Sequence, residues 1–301
     1  DSLSDAALRD KVTAGQAPFT TIIIDEAGLM SRAVVAAMSL LASRRVLLVG
    51  DAKQLAPISK VSRILPTNQA TWLASSGLSH LQDTDHVPAG VHLLREQHRM
   101  HVDVSRVVSR FQYAGALRDA STVVNRSPKP IAGFEDQPRA IWYVLDEDCD
   151  DIPSIRAERG PGNRSWLRSG SRGVIEKLFS HTGIFSADGL FITPFRAQAR
   201  DLAGHFASER LDSWASGTVH SRQGTEADAV IFDTVNAGSC GWDNDEWRRL
   251  INVGLSRARE LVILLASRAE MNEPYLRPLL DLLAPRVLRR QGRRYVWTEV
   301  M

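Results

Sequence analysis

Short runs of β-branched and apolar residues alternate along the chain with longer segments of helical periodicity, and that alternation predicts an α/β fold with parallel strands. Residues 20–24, 46–49, 141–145, 190–193, 229–234 and 261–265 read as strands, and 32–42, 172–179, 196–208 and 247–260 as helices. Within the strands the apolar residues are continuous, which predicts sheets covered on both faces. The stretches 125–137 and 146–168, rich in proline and glycine, read as long surface connections. The strand-like segment 91–94 runs into charged sequence and places a domain boundary near residue 95.

Length and composition narrow the class. A chain of 301 residues, 44% hydrophobic and 24% charged, can bury a large core or two medium ones, which excludes disordered and disulfide-stapled classes. Cys149 and Cys240 stand far apart without metal-ligand spacing, so a cytoplasmic or other reducing compartment is expected. The longest clean apolar run, 261–266, is far short of the roughly 20 residues of a membrane span, so no membrane association is expected. The chain opens on Asp1 instead of methionine, which suggests a fragment or processed product.

Net charge +2 makes no case for a polyanionic partner. Lysine occurs only at positions 11, 53, 60, 129 and 177 of the 37 basic residues, so nearly all basic chemistry is planar, permanently charged guanidinium. GC-rich codon usage explains much of this bias, and only arginines placed by a motif carry weight. The acidic cluster at 146–151 lacks the glycine and glutamate of a calcium loop and reads as a solvated loop. The tail, with Arg286, Arg289, Arg290, Arg293 and Arg294 against Glu299, reads first as a solvated strand or helix face and second as a phosphate-binding extension.

Two strands end in concentrated chemistry. The run Ile22-Ile23-Ile24 delivers Asp25 and Glu26 at its carboxyl end, where ligands bind in open α/β sheets. One carboxylate there can hold Mg²⁺ while its neighbour activates a water for attack on a phosphoryl group. A second apolar strand runs into Gly50-Asp51-Ala52-Lys53-Gln54-Leu55-Ala56-Pro57. If the two strands are neighbours, Asp51 and Gln54 share a cleft with the acids. Asp51 also fits a helix cap.

Further along stand Gln97-His98-Arg99-Met100-His101, then Gln223-Gly224-Thr225-Glu226-Ala227-Asp228, then Asn252-Val253-Gly254-Leu255-Ser256-Arg257-Ala258-Arg259. With Gly50 to Pro57 before them, in this order, these stretches resemble motifs II to VI of superfamily 1 helicases, most closely the RNA-surveillance and senataxin-type branch. Weaker echoes at 111–117 and 191–198 extend the likeness over nearly the whole chain from about residue 19. The resemblance implies a RecA-like P-loop NTPase architecture: a truncated first RecA-like domain at 1–95, then a complete second one at 96–301 with a parallel sheet.

It also implies roles. Asp25 corresponds to the Mg²⁺-holding carboxylate, Glu26 to the general base, Gln54 to the γ-phosphate sensor, and Arg99 and Arg257 to arginines that reach the transferring phosphoryl. Gly50, Asp51, Gln97, Gly224 and Glu226 join them around ATP, with Glu226 on the ribose. Pro57, Thr193, Arg196, Thr218 and His220 fall in motifs that contact single-stranded nucleic acid, through groups suited to sequence-independent phosphate contact. Strand-end packing of the threonines and a core role for the histidine are the alternatives for these residues. Trp72 and Trp242, in polar surroundings, are candidate base-stacking surfaces, although tryptophans more often pack.

The sequence departs from the family in two places. No Gly-x-x-x-x-Gly-Lys-Ser/Thr phosphate loop occurs, so the amides and lysine for the β- and γ-phosphates are missing. Gly28-Leu29 stands where many relatives carry a polar residue. The expectation is the carboxyl-terminal part of an ATP-dependent DNA or RNA helicase, with 5′ to 3′ movement suggested by the branch and the phosphate-loop segment belonging to the parent protein. The isolated chain should then bind ATP weakly and hydrolyse almost none. The alternative is a non-catalytic RecA-like module binding nucleic acid or protein; a P-loop ATPase acting on protein is a third.

Overall fold

The computed structural model describes residues 6–57, 64–81, 89–147, 154–235 and 242–300, and the chain divides into two units, Asp1–Leu93 and Leu94–Met301. Cys149, Cys240 and the acidic residues at 148, 150 and 151 lie outside the described residues. No helix among the described residues is long and apolar enough to cross a membrane.

The first unit contains α1 (Ala6–Thr13), β1 (Phe19–Ile24), α2 (Arg32–Ser39), β2 (Ala42–Leu48) and α3 (Thr67–Leu73). Strands β1 and β2 pair in parallel, Ile22 opposite Val46 and Ile24 opposite Leu48. Ser31 caps α2 by accepting the Val34 amide, and the helix ends at Ser39, short of the expected 42, because the chain must already extend at Ala42 to pair with Phe19. One sheet face, with Ile22 and Ile24, packs on Val35, Met30 and Met38. The other face is open: Ile23 is 65% and Leu47 45% exposed, and the two are direct partners. Double coverage, expected from the continuous apolar strands, is not met in this unit: among the described residues no second layer covers that face.

The second unit contains β3 (Glu96–Gln97), α4 (Val102–Gln112), β4 (Arg118–Asp119), α5 (Ser121–Val124), β5 (Ala140–Leu145), β6 (Glu158–Arg159), β7 (Trp166–Leu167) and α6 (Ser169–Thr182). It continues with β8 (Gly189–Thr193), α7 (Arg196–Ser208), β9 (Trp214–Thr218), β10 (Ala227–Asp233), α8 (Asn244–Leu255), β11 (Ala258–Ser267), β12 (Ala284–Gln291) and β13 (Arg294–Glu299). Its main sheet has the order β13-β12-β5-β11-β10-β8-β9, parallel throughout except for the β12–β13 hairpin. Here coverage is double. Ile141, Phe191, Ile231 and Ile263 pack with Val174, Leu178, Leu202 and Phe206 of α6 and α7, whereas Phe232, pointing the other way, approaches Gly254 of α8.

Several expectations are corrected. The predicted helix 247–260 stops at Leu255 and Ala258 to Glu260 are strand; the charged Arg-Ala-Arg-Glu run mimics a helix face, but its backbone pairs with β10. Residues 91–94 form no strand, and pairing starts at β3. The connection 125–137 is not merely superficial, since Ile131 and Phe134 are buried in the main core. Within 146–168 lies the small β6–β7 hairpin. Strand β9 escaped notice because Ser216 and Gly217 interrupt its apolar run. The tail is a hairpin that extends the sheet and buries Val287 and Leu288.

The open face of β1–β2 is an apolar patch that water contacts directly. Replacing Ile23 and Leu47 with threonine should lower fluorescence of a hydrophobic dye bound to the chain and raise its solubility, while leaving the melting transition of the second unit unchanged. Unaltered dye binding would show that the face is not accessible in solution.

Candidate functional site

In the first unit the parallel register brings the ends of β1 and β2 side by side. The Ala27 amide donates to Val49 O at 2.9 Å and the Val49 amide to Ile24 O at 2.8 Å, so Asp25-Glu26 and Gly50-Asp51 emerge on the same edge. Gly28 packs against the second loop so closely that a Cβ there would lie 2.8 Å from Asp51 O. A side chain at position 28 would force the loops apart, which accounts for this departure from the family pattern. Glu26 is held at φ 51°, ψ 37°, a left-handed conformation costly for a non-glycine residue, and both acids are exposed. Asp25 Oδ1 accepts the Glu26 amide at 2.8 Å. Asp51 accepts the Lys53 amide (2.8 Å) and the Gln54 Nε2 amide (3.0 Å), so it closes a turn instead of capping a helix and orients the Gln54 side chain. Pro57 follows, half-buried.

In the second unit Arg99, Gly224, Glu226 and Arg257 gather at the amino edge of β10 and β11. Arg99 Nε meets Glu226 at 2.5 Å, and its Nη1 donates to Ser256 O at 3.2 Å, beside Arg257. Arg257 is buried, its Nε donating to Val253 O at 3.1 Å. Gln97 organises the turn: its Oε1 accepts the amides of Arg99 (3.0 Å) and Met100 (2.8 Å), and its Nε2 donates to Met100 O and Asp119. That leaves it holding Arg99 in place. Gly224 is exposed at φ 79° with nothing within 4 Å of a Cβ, an open left-handed turn. Next to it, the Gln223 Nε2 is buried without a hydrogen-bond partner among the described residues.

The nucleic-acid candidates sit at the opposite, carboxyl edge. Thr193 and Thr218 are direct partners at the ends of β8 and β9. Thr193 is fully buried and its Oγ1 accepts the Phe195 amide at 3.3 Å, shaping the turn ahead of α7, whereas Thr218 closes a turn with Ser221. Arg196, exposed, opens α7, and His220 is exposed yet crowded enough that desolvation holds its imidazole below the ordinary histidine pKa. Trp242 stacks on Phe195 at 5.3 Å and meets Trp247 edge-on at 5.2 Å, so packing accounts for it; Trp72 is 54% exposed.

Two buried ionic networks were not visible in the sequence. At the amino edge Asp228 accepts from Lys129 Nζ and from Arg259 Nε (2.9 Å), while Glu260 takes Arg126 at 3.1 Å. The register between β10 and β11 slips here, Ala227 facing Ala258 but Ala229 facing Leu261, and the extra residue in β11 is the bulge that carries Arg259 and Glu260. His101 N donates to Arg259 O at 2.7 Å, so one arginine fastens three motif stretches. At the carboxyl edge the fully buried Arg168 binds Asp233, Glu270 (3.1 Å) and Ser171 (2.9 Å), and its amide donates to Gln198 at 2.7 Å. Burial pushes the Glu270 carboxyl above the usual range despite Arg168.

Burial alone would raise Asp228, but hydrogen bonds from Lys129 and Arg259 outweigh it and hold its carboxyl below 3.8. A depressed folded-state pKa contributes stability that is complete above 3.8 and drains away as pH falls through the lower folded value. Asp228→Asn should therefore flatten the acid limb of stability measured by urea unfolding between pH 2 and 6, and cost on the order of 2 kcal/mol near pH 7. That figure lies below the loss typical of fully buried pairs because Lys129 and Arg259 stay partly exposed. An unchanged acid limb would remove Asp228 from this role.

Two family models, both described as AAA domain, match residues 4–61 and 73–269. The DNA replication ATP-dependent helicase/nuclease DNA2 of Xenopus laevis is 25% identical over 275 residues, covering 84% of this chain and 25% of that protein. The Regulator of nonsense transcripts 1 homolog of Drosophila melanogaster is 26% identical over 263 residues, 83% of this chain and 21% of that protein. The DNA-binding protein SMUBP-2 of Rattus norvegicus is 26% identical over 275 residues, 87% and 26%. The chain thus spans about a quarter of the length of these curated relatives. The longer match covers most of the chain and takes in the Arg99, Glu226 and Arg257 stretches, and the second unit has the parallel α/β sheet of a RecA-like fold. The chain belongs to the AAA-domain family of superfamily 1 helicases.

Proposed function

We propose that this chain serves ATP-driven movement of a helicase along single-stranded nucleic acid, the acids of the first unit and the arginines of the second each serving nucleotide chemistry. The observation that carries this reading is the separation, on one sheet, of two kinds of chemistry. A guanidinium–carboxylate cluster (Arg99, Glu226, Arg257) occupies the amino edge, and a set of guanidinium, hydroxyl and imidazole groups suited to phosphate (Arg196, Thr218, His220) the carboxyl edge. Strand β10 spans the two, about 20 Å at the usual rise per residue.

The donor set fits nucleotide and metal. Mg²⁺ is ordinarily held by one or two carboxylates together with phosphate oxygens, and Asp25 offers such a carboxylate at an exposed strand end. When bound, the ion would neutralise phosphate charge. Glu26, turned outward by its left-handed backbone, would take the proton from the attacking water. Arg99 and Arg257 would offset charge developing on the equatorial phosphoryl oxygens, and the unpartnered Gln223 amide offers a further donor on that edge. Gln54, held by Asp51, would register the γ-phosphate. Thr193 is buried and acts by shaping the turn from which Arg196 emerges. The open apolar face of β1–β2 supports a parent protein that supplies a layer to cover it.

In the parent protein, Glu26→Gln should keep nucleotide binding and abolish hydrolysis, and Arg257→Lys should lower turnover at least tenfold, because an ammonium cannot reproduce the planar fork. Steady-state phosphate release with and without single strands checks both. Wild-type turnover in either variant would remove the assignment, and normal nucleic-acid binding in a parent that never hydrolyses ATP would favour the non-catalytic module.

A further inference from the structure

The tail hairpin carries chemistry that the nucleotide reading leaves unused. Strands β12 and β13 meet at Gly292, and Arg289, Arg290, Arg293 and Arg294 are all exposed around that turn. Arg286, further down the same strand, pairs with Glu299 at 3.2 Å; the four at the tip have no acidic partner among the described residues. Among the described residues their polar contact is local, Arg290 Nε donating to Gly292 O at 3.1 Å. Like charges packed this closely repel, and the repulsion is relieved only by a polyanion or by salt.

The hairpin beneath them is firmly seated. Trp297 donates to Gly133 O at 3.0 Å and packs on Phe134 (5.0 Å) and Tyr143 (6.2 Å), and Val287 and Leu288 are buried. The tip is therefore held out from a fixed base. On one face Arg290 is the cross-strand partner of Tyr295, whose ring stacks on His181 at 3.9 Å with Lys177 5.5 Å away, so the basic surface continues onto α6. On the other face Arg289 and Arg294 are diagonal neighbours.

We propose that this hairpin tip is a second phosphate-binding tract for nucleic acid, separate from the carboxyl-edge residues and indifferent to sequence. It rests on the nucleic-acid reading above. Guanidinium groups without base-reading aromatics at the tip suit backbone phosphates, and DNA and RNA offer the same phosphodiester chemistry.

The test is a salt titration of the 301-residue chain against fluorescent thymidine and uridine homopolymers, read by anisotropy. Four lost phosphate contacts lower the magnitude of the slope of log K against log salt by about 3, and affinity at 0.1 M salt falls on the order of a hundredfold. That result is expected for R289Q/R290Q/R293Q/R294Q on both homopolymers. The corresponding four-lysine variant should keep the wild-type slope, and Arg286→Gln should leave it unchanged. If the four-glutamine variant fails to fold, the pairs R289Q/R290Q and R293Q/R294Q should each remove about half of the slope change.

A variant that retains the slope overturns the tract. A variant that retains the slope but self-associates shows that the arginines instead guard an edge strand against pairing. A wild-type chain that binds neither homopolymer overturns the nucleic-acid reading itself, an outcome distinct from an unchanged slope.

Discussion

The contact between Asp228 and Arg259 is the constraint on which the amino edge of the second unit depends. A buried carboxylate is stable only when its lost hydration is replaced, and here Arg259 and Lys129 replace it. Because Arg259 sits on a bulge, its side chain turns toward β10 while its carbonyl still accepts the His101 amide. Glu226 and Arg257 each lie two residues from a member of this pair, and Arg99 bridges to both stretches. Removing the pair would loosen every charged group of the cluster together. Coupled groups of this kind are expected to be non-additive under mutation.

The parallel sheet then acts as a spacer between two chemistries. Residues 219–226 return the chain from the carboxyl edge of β9 to the amino edge of β10, so His220 and Glu226 lie on one short covalent path that runs beside the sheet. The far edge has its own anchor in Arg168, which ties β10 through Asp233, the start of α6 through Ser171 and α7 through Gln198. Fixing α7 from beneath also fixes where Arg196 emerges.

The sequence revealed the strands whose apolar runs are unbroken and the turns that follow them, because those patterns are local. It placed Asp25 with Asp51 on a common edge once their strands were taken as neighbours, whereas the pairing of Thr193 with Thr218 emerged only with strand β9. It could not reveal the bulge at Arg259, since a slip of one residue in register leaves composition and periodicity untouched. Nor could it reveal the ionic partners of Asp228 and Arg168 or the hydrogen-bond partner of Glu270, which stand 31, 65 and 36 residues away in the chain. The open face of the first unit was misread on the opposite ground. Apolar continuity states that a strand needs cover, and it does not state which chain supplies it.

Arginine dominance also resolves once contacts are known. Many of these side chains use the five-donor fork to satisfy backbone carbonyls: Arg99 on Ser256, Arg126 on Arg99, Arg222 on Ser216, Arg248 on Phe111 and Arg257 on Val253. Lysine, a point charge on a flexible stem, would serve such turns poorly, so the arginine-rich composition has a structural use. Others neutralise buried acids, as Arg168 and Arg259 do. Measured against those two uses, the arginines at the hairpin tip stand apart: among the described residues they meet neither an acid nor a distant carbonyl, yet the strands that carry them are pinned by Trp297. Exposed guanidinium groups on a pinned base, with no ionic partner among the described residues, are what the proposed phosphate tract requires.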